Sequence, residues 1–292
     1  MSDRPDIAAP PDGNSTAVAA VARAGEPDRY LAALLAPQPQ REALLALAAL
    51  AAELARIPRL VVREPLMGDI RLQWWRDALG LAEGQQSGHN VADAVREAAR
   101  DYDLPAALLD GLIEGRALQL RGAPFADEQV LHDFLWETEG ALFALASRVV
   151  GLPAGADVEE ACSVSGRAYG LARLLLRLPR ELSLGRVPLP QTQIATADLT
   201  AQELLAGTGG GTKVAGLMSA YHGQIRASLA RARKYAAQLP RRTRIAFLPL
   251  ALVEPYVRAL ERPGVLSLRE EARIAPLTRV CRIAVAHLFD RL

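Results

Sequence analysis

From Ala43 onward the chain runs almost entirely apolar to Ala52, and Leu47, Leu50, Leu54 and Ile57 recur at spacings of three and four residues. That spacing places them on one face of an α-helix. The same period predicts helices over roughly 28–35, 40–56, 68–82, 90–101, 105–120, 127–150, 157–182, 199–206, 212–238, 242–261 and 268–291. No stretch alternates in the manner of a strand, so the expected fold is all-α. The run from Ala43 to Ala52 is too short to span a bilayer, which takes about 20 residues.

Local signals sharpen several boundaries. Thr200-Ala-Gln-Glu203 and Ser267-Leu-Arg-Glu270 have the form of capping boxes, in which hydroxyl and carboxylate satisfy the free amides of a first helical turn. The glycine-rich stretch 207–212 lacks the lysine and preceding strand of a phosphate-binding loop and reads as a linker. Pro249, Pro255 and Pro276 fall inside helical patterns and predict kinks. Residues 1–27, rich in proline, alanine and small polar side chains, are expected to form a disordered tail, leaving one domain over 28–292.

Composition narrows the function. Apolar residues make up 50% of the 292 but aromatics only 5%, and the alanine and leucine excess favours helix. Lysine plus arginine (34) nearly balances aspartate plus glutamate (33). No global field or motif points to nucleic acid. Cys162 and Cys281 lie far apart with no metal-ligand spacing, so they read as two buried thiols in a reducing compartment. The N-terminus lacks the basic start and apolar core of a secretory signal, which predicts a cytoplasmic protein. One local charge run, residues 226–244, carries Arg226, Arg231, Arg233, Lys234, Arg241, Arg242 and Arg244 beside apolar positions. It is a candidate for peripheral contact with the inner face of a membrane, or a solvated helix face.

The segment Gly68-Asp-Ile-Arg-Leu-Gln-Trp-Trp-Arg-Asp-Ala-Leu79 is the most distinctive. Trp74 and Trp75 project about 100° apart on a helix and cannot fill the same pocket. Together with Asp28-Arg-Tyr-Leu, Arg41-Glu-Ala-Leu, His89-Asn-Val-Ala, Gly111-Leu-Ile-Glu-Gly, Thr138-Glu-Gly-Ala-Leu and Gly185-Arg-Val-Pro-Leu-Pro, it resembles the squalene/phytoene synthase family. The resemblance implies an isoprenoid-synthase-like helical bundle around a central cavity, with helices 40–56 and 157–182 facing across it. Active members of that family join two prenyl diphosphates head to head. They hold magnesium between two aspartate-rich motifs, where it stabilises the departing diphosphate.

Those acids are missing here. The family's first motif falls on Ala55, Arg56 and Arg59, the second on Arg177 and Glu181, and an aspartate usual in the middle helix on Gln119. Arginine keeps its charge at biological pH, so the change turns a cation-attracting site into a cation-repelling one. No catalytic residue, no metal site and no cofactor are expected. The degenerate pocket is expected to comprise Glu53, Ala55, Arg56, Arg59, Glu114, Gln119, Arg173, Arg177 and Glu181. Arg56 and Arg59 also fit a plainer role as helix-end cations, with Glu53 as a salt-bridge partner of Arg56.

Three functions follow from the resemblance. The branch with this Trp-Trp segment and degenerate acids is associated with assembly of respiratory NADH dehydrogenase (complex I), which implies respiratory-complex subunits as partners. A metal-free prenyl-diphosphate binder would grip its ligand with Arg56, Arg59, Arg173 and Arg177. The enzymatic alternative is a head-to-head prenyl transferase using magnesium with Glu181, Glu114, Glu137 or Glu139.

Overall fold

A computed structural model describes residues 13–61, 64–262, 268, 270–290 and 292. The first half of the chain folds into α1 (Gly13–Gly25), α2 (Pro27–Ala33), α3 (Gln40–Leu60), α4 (Pro65–Leu79), α5 (Asn90–Asp101), α6 (Ala106–Leu120) and α7 (Glu128–Leu135). A π-helical turn, Trp136–Gly140, leads into α8 (Ala141–Val149), and α9 (Ala156–Ser183) follows. Then come α10 (Gln191–Thr196), α11 (Ala201–Ala206), α12 (Gly211–Gln238), a 3-10 segment Arg241–Leu252, α13 (Val253–Leu260) and α14 (Pro276–Phe289). Among the described residues the one extended pairing is an isolated bridge between Phe125 and Pro190, so the all-α expectation holds.

The N-terminal segment departs from its expected disorder. Gly13–Gly25 is helical, with Val18 and Ala22 buried. Its composition permits this because small side chains let helices meet closely. A Cβ on Gly25 would stand 2.4 Å from Ala52 Cβ, so α1 lies against α3 with almost nothing between the backbones. The folded unit therefore begins before Asp28; residues 1–12 lie outside the described residues.

Other boundaries shift for identifiable reasons. The expected helix 127–150 is interrupted by the π turn, and the front of 242–261 is 3-10 helix containing Pro249. Residues 271–275 are not helical; Pro276 starts α14 at a position where a missing amide costs nothing, rather than kinking it. Ser267, of the second capping box, lies outside the described residues. The first box is present at α11, closed by the left-handed Gly207. Cys162 is buried as expected and burial pushes its thiol up to about 12, but Cys281 is exposed on α14.

Helix α9 runs through the centre, with Tyr169, Leu171 and Ala172 wholly buried. Two of its glycines set the distance to the π turn. A Cβ on Gly166 would meet Gly140 N at 2.5 Å, and one on Gly170 would meet Glu139 Cγ at 3.0 Å. The π turn can approach only because both positions lack a side chain. That approach delivers Glu139 to the arginines of α9.

Candidate functional site

Where α6, the end of α7, the π turn and α9 converge, a narrow cavity offers about 50 Å³ of accessible space. A water needs roughly 10–15 Å³ of such space. The cavity is therefore a slot for a few small molecules. Gln119, Arg173, Arg177 and Glu181 line it, together with Arg116 and Glu139.

Charge, not space, dominates this region. Arg173 makes a two-point pair with Glu26, at 2.7 Å from Nη1 to Oε2 and 2.5 Å from Nη2 to Oε1, and its Nη1 also reaches Glu139 at 3.4 Å. Arg29 donates to the same Glu139 carboxylate at 2.8 Å, and its guanidinium lies over the rings of Phe143 and Tyr169. Burial alone would raise the Glu26 pKa, but Arg173, with help from Arg29 and Arg177, outweighs it and holds the carboxyl at about 2. Glu181 pairs with Arg186 at 3.7 Å, and Arg186 donates to the Pro58 carbonyl at 2.8 Å, closing the free end of α3.

Three arginines are left over. Among the described residues Arg59, Arg116 and Arg177 have no carboxylate within ion-pair distance; Arg59 Nε donates to Ala55 O at 2.9 Å and Arg116 to Gln119 at 3.1 Å. Burial first, and the field of Arg173 among other charges, brings Arg116 and Arg177 down to about 10. Arg59 is lowered in the same direction by burial and by Arg180. The cavity thus carries more positive than negative charge in a place that solvates charge poorly.

The expected pocket is brought together in part. Arg59 at the end of α3 and Arg173, Arg177 and Glu181 on α9 share one electrostatic neighbourhood, but no side chain of α3 is among those that line the cavity, so the two helices are not its facing walls as expected. Glu53, Arg56 and Glu114 do not join them. Arg56 is exposed and pairs with Glu53 at 3.5 Å, the plainer reading of that arginine, and Glu114 pairs with Arg76 at 2.6 Å on the surface. Arg56 and Glu53 instead edge an outer groove with Trp74, Trp75 and His89. Trp74 and Trp75 thus share one groove, against the expectation from their divergence on the helix: their rings stand edge to face at 5.2 Å and both pack on His89, although Trp75 is 4% exposed and Trp74 41%. Ala55 is buried and offers only its carbonyl.

Sequence reasoning missed Glu26, Arg29, Arg116 and Arg186 as members of the cluster. Arg29 and Arg186 stand inside motifs that carry the family resemblance, which is the signal that would have found them. Glu26 sits in the stretch read as a tail.

Magnesium does not fit this donor set. Glu26, Glu139 and Glu181 each already face a guanidinium, and Arg59 and Arg177 stand where the ligands of the synthases are expected. Among the described residues no three His, Cys, Asp or Glu side chains converge.

Comparison with known proteins agrees with the fold and motifs. Residues 22–279 match the squalene/phytoene synthase family. The chain belongs to that family. Solved squalene/phytoene synthase-like structures superpose closely: a dehydrosqualene synthase in complex with ligand (TM-score 0.77, 15% identity, covering 94% of this chain and 96% of that one). The squalene synthase HpnC from Alicyclobacillus acidocaldarius gives TM-score 0.73 at 16% identity, over 86% and 94%. At such identities they establish the isoprenoid-synthase architecture alone. Among curated proteins the chain is 25% identical over 236 residues to NADH dehydrogenase (ubiquinone) complex I, assembly factor 6, of Mus musculus, covering 80% of this chain and 70% of that one. The Homo sapiens protein of the same name is 24% identical over 234 residues, 80% and 69%.

Proposed function

We propose that this chain is a non-catalytic member of its family that acts in assembly of respiratory NADH dehydrogenase (complex I), as the names of its mammalian relatives describe for them. The observation that carries the reading is the sign of the charge at the cavity. Head-to-head condensation needs cations held against a departing diphosphate, and Arg59 and Arg177 oppose the binding of any divalent cation there. The partners are then complex I subunits, met at the cytoplasmic face of the membrane that houses the complex. No cofactor is required.

The cavity argues against the carrier alternative. Its accessible space of about 50 Å³ is too small for a prenyl chain, and Arg173 is already occupied by Glu26 and Glu139.

Deleting the gene tests the assembly role. Native gels should lose assembled complex I and membranes should lose NADH oxidation, both restored by the intact gene; unchanged complex I would refute it. Purified protein given magnesium and farnesyl or geranylgeranyl diphosphate should yield no squalene or phytoene above a heat-killed control. Calorimetry with a prenyl diphosphate and chelator should show no heat, and heat of binding would restore the carrier.

A further inference from the structure

Helix α14 is apolar on the side turned away from the protein. Its inner edge is accounted for: Ile283 and Ala286 are buried, and Arg279 pairs with Asp28 at 2.6 Å. At 100° per residue, Leu277, Val280, Val285, Leu288 and Phe289 fall on the other side. They are 71%, 46%, 48%, 65% and 67% exposed. Scattered exposed leucines need no explanation, but a stripe running the length of a helix does.

Basic residues flank the stripe. Arg282 is exposed on α14 itself, and exposed Arg241 and Arg242 open the 3-10 segment, where Arg241 Nη2 donates to the Leu288 carbonyl at 3.1 Å. Arg233 on α12 is near enough for Arg282 to act on it. Asp290, the acid at this end, is taken up by Arg244 at 2.5 Å.

The basic segment 226–244 is thereby reshaped. Arg226 is held by Glu261 at 2.6 Å and by Glu254, and Arg231 by Glu160, so they form no continuous patch. Arg233, Lys234, Arg241 and Arg242 remain, and of these Arg233, Arg241 and Arg242 border α14.

We propose that the outward face of α14 docks this protein on an anionic lipid surface, its apolar stripe entering the interface while Arg233, Arg241, Arg242 and Arg282 meet lipid headgroups. A helix with one apolar face and cationic flanks lies in the interfacial plane, about 5–10 Å into the headgroup boundary. A second copy is the poorer occupant. Fourteen residues of helix are roughly 21 Å long and offer far less than the ~800 Å² per partner of a stable interface, and pairing would bring the arginines of both copies together. No described helix is long and apolar enough to cross a membrane, so the contact is with one leaflet. The proposal is independent of the assembly role.

Vesicle flotation with the full chain tests it. The protein should float with phosphatidylcholine vesicles containing phosphatidylglycerol and remain at the bottom with phosphatidylcholine alone, and added salt should weaken the binding. Leu288→Ser with Phe289→Ser should reduce partitioning at least ~10-fold, and each of Arg241→Glu and Arg282→Glu by about fivefold or more. Leu277→Ser with Val280→Ser probes the other end of the stripe, so a folding defect in one pair leaves the face testable. Flotation unaffected by either pair, equal binding to neutral vesicles, or no binding would overturn the proposal. So would a dimer in sedimentation velocity that the Leu288/Phe289 pair dissolves, since that outcome assigns the stripe to a second copy.

Discussion

Glu26 and Arg173 lie 147 positions apart in the chain and meet in the interior as a two-point ion pair. Both are almost wholly buried, so neither has water to fall back on. Removing one partner leaves the other charged in a poor solvent, which costs about 3–5 kcal/mol. Arg173→Met and Glu26→Gln should each lower unfolding free energy by about that amount in denaturant titrations. A loss below about 1 kcal/mol in both would show that the pair is not what holds α2 to α9.

Arg177 should behave oppositely. It is half-buried on the same helix without an ion-pair partner among the described residues, so its charge is a liability. Arg177→Met keeps the volume and removes the charge, and should leave stability unchanged or raise it by up to about 2 kcal/mol. Thermal melts of the two methionine variants side by side would read the difference in sign.

The Glu26 pair also has an acid signature. The carboxyl titrates at about 2 in the folded protein, against an ordinary 4.5. Between those values the unfolded chain binds the proton and the folded one does not, so stability rises with pH. The contribution is complete above about 4.5 and disappears as pH falls toward 2. Glu26→Gln should flatten that part of the profile relative to the unaltered protein.

Glycine substitutions should separate approach from propensity. At Gly166 an added methyl would collide with backbone at 2.5 Å, so Gly166→Ala should destabilise by about 1–3 kcal/mol. At Gly223 on α12 a Cβ would meet nothing within 4 Å, and Gly223→Ala should stabilise by about 0.5–1 kcal/mol.

Period and caps made most of the helices legible, because apolar spacing along α3 or α9 is a local property. The grouping of Arg59 with Arg173, Arg177 and Glu181 was legible too, through the family resemblance. Glu26 was not: an acid beside a proline in an alanine-rich stretch looks solvated until α1 is seen against α3. The π turn left no periodic trace, since five residues at a different pitch vanish inside a helical pattern. Arg56 and Arg59 lie one turn apart on nearly the same side of α3, and which of them is sheltered depends on the neighbours of α3 rather than on its own sequence.

Asp28 gathers the far ends of the chain. Its carboxylate accepts the hydroxyls of Tyr169 on α9 and Tyr256 on α13 and pairs with Arg279 on α14. It also stands two residues from Glu26, across the start of α2. The outermost helix and the sealed interior are therefore moored to one short stretch of backbone. The polar contacts of α14 thus end within two residues of the carboxylate that neutralises Arg173, so the surface helix and the charged centre share one anchor.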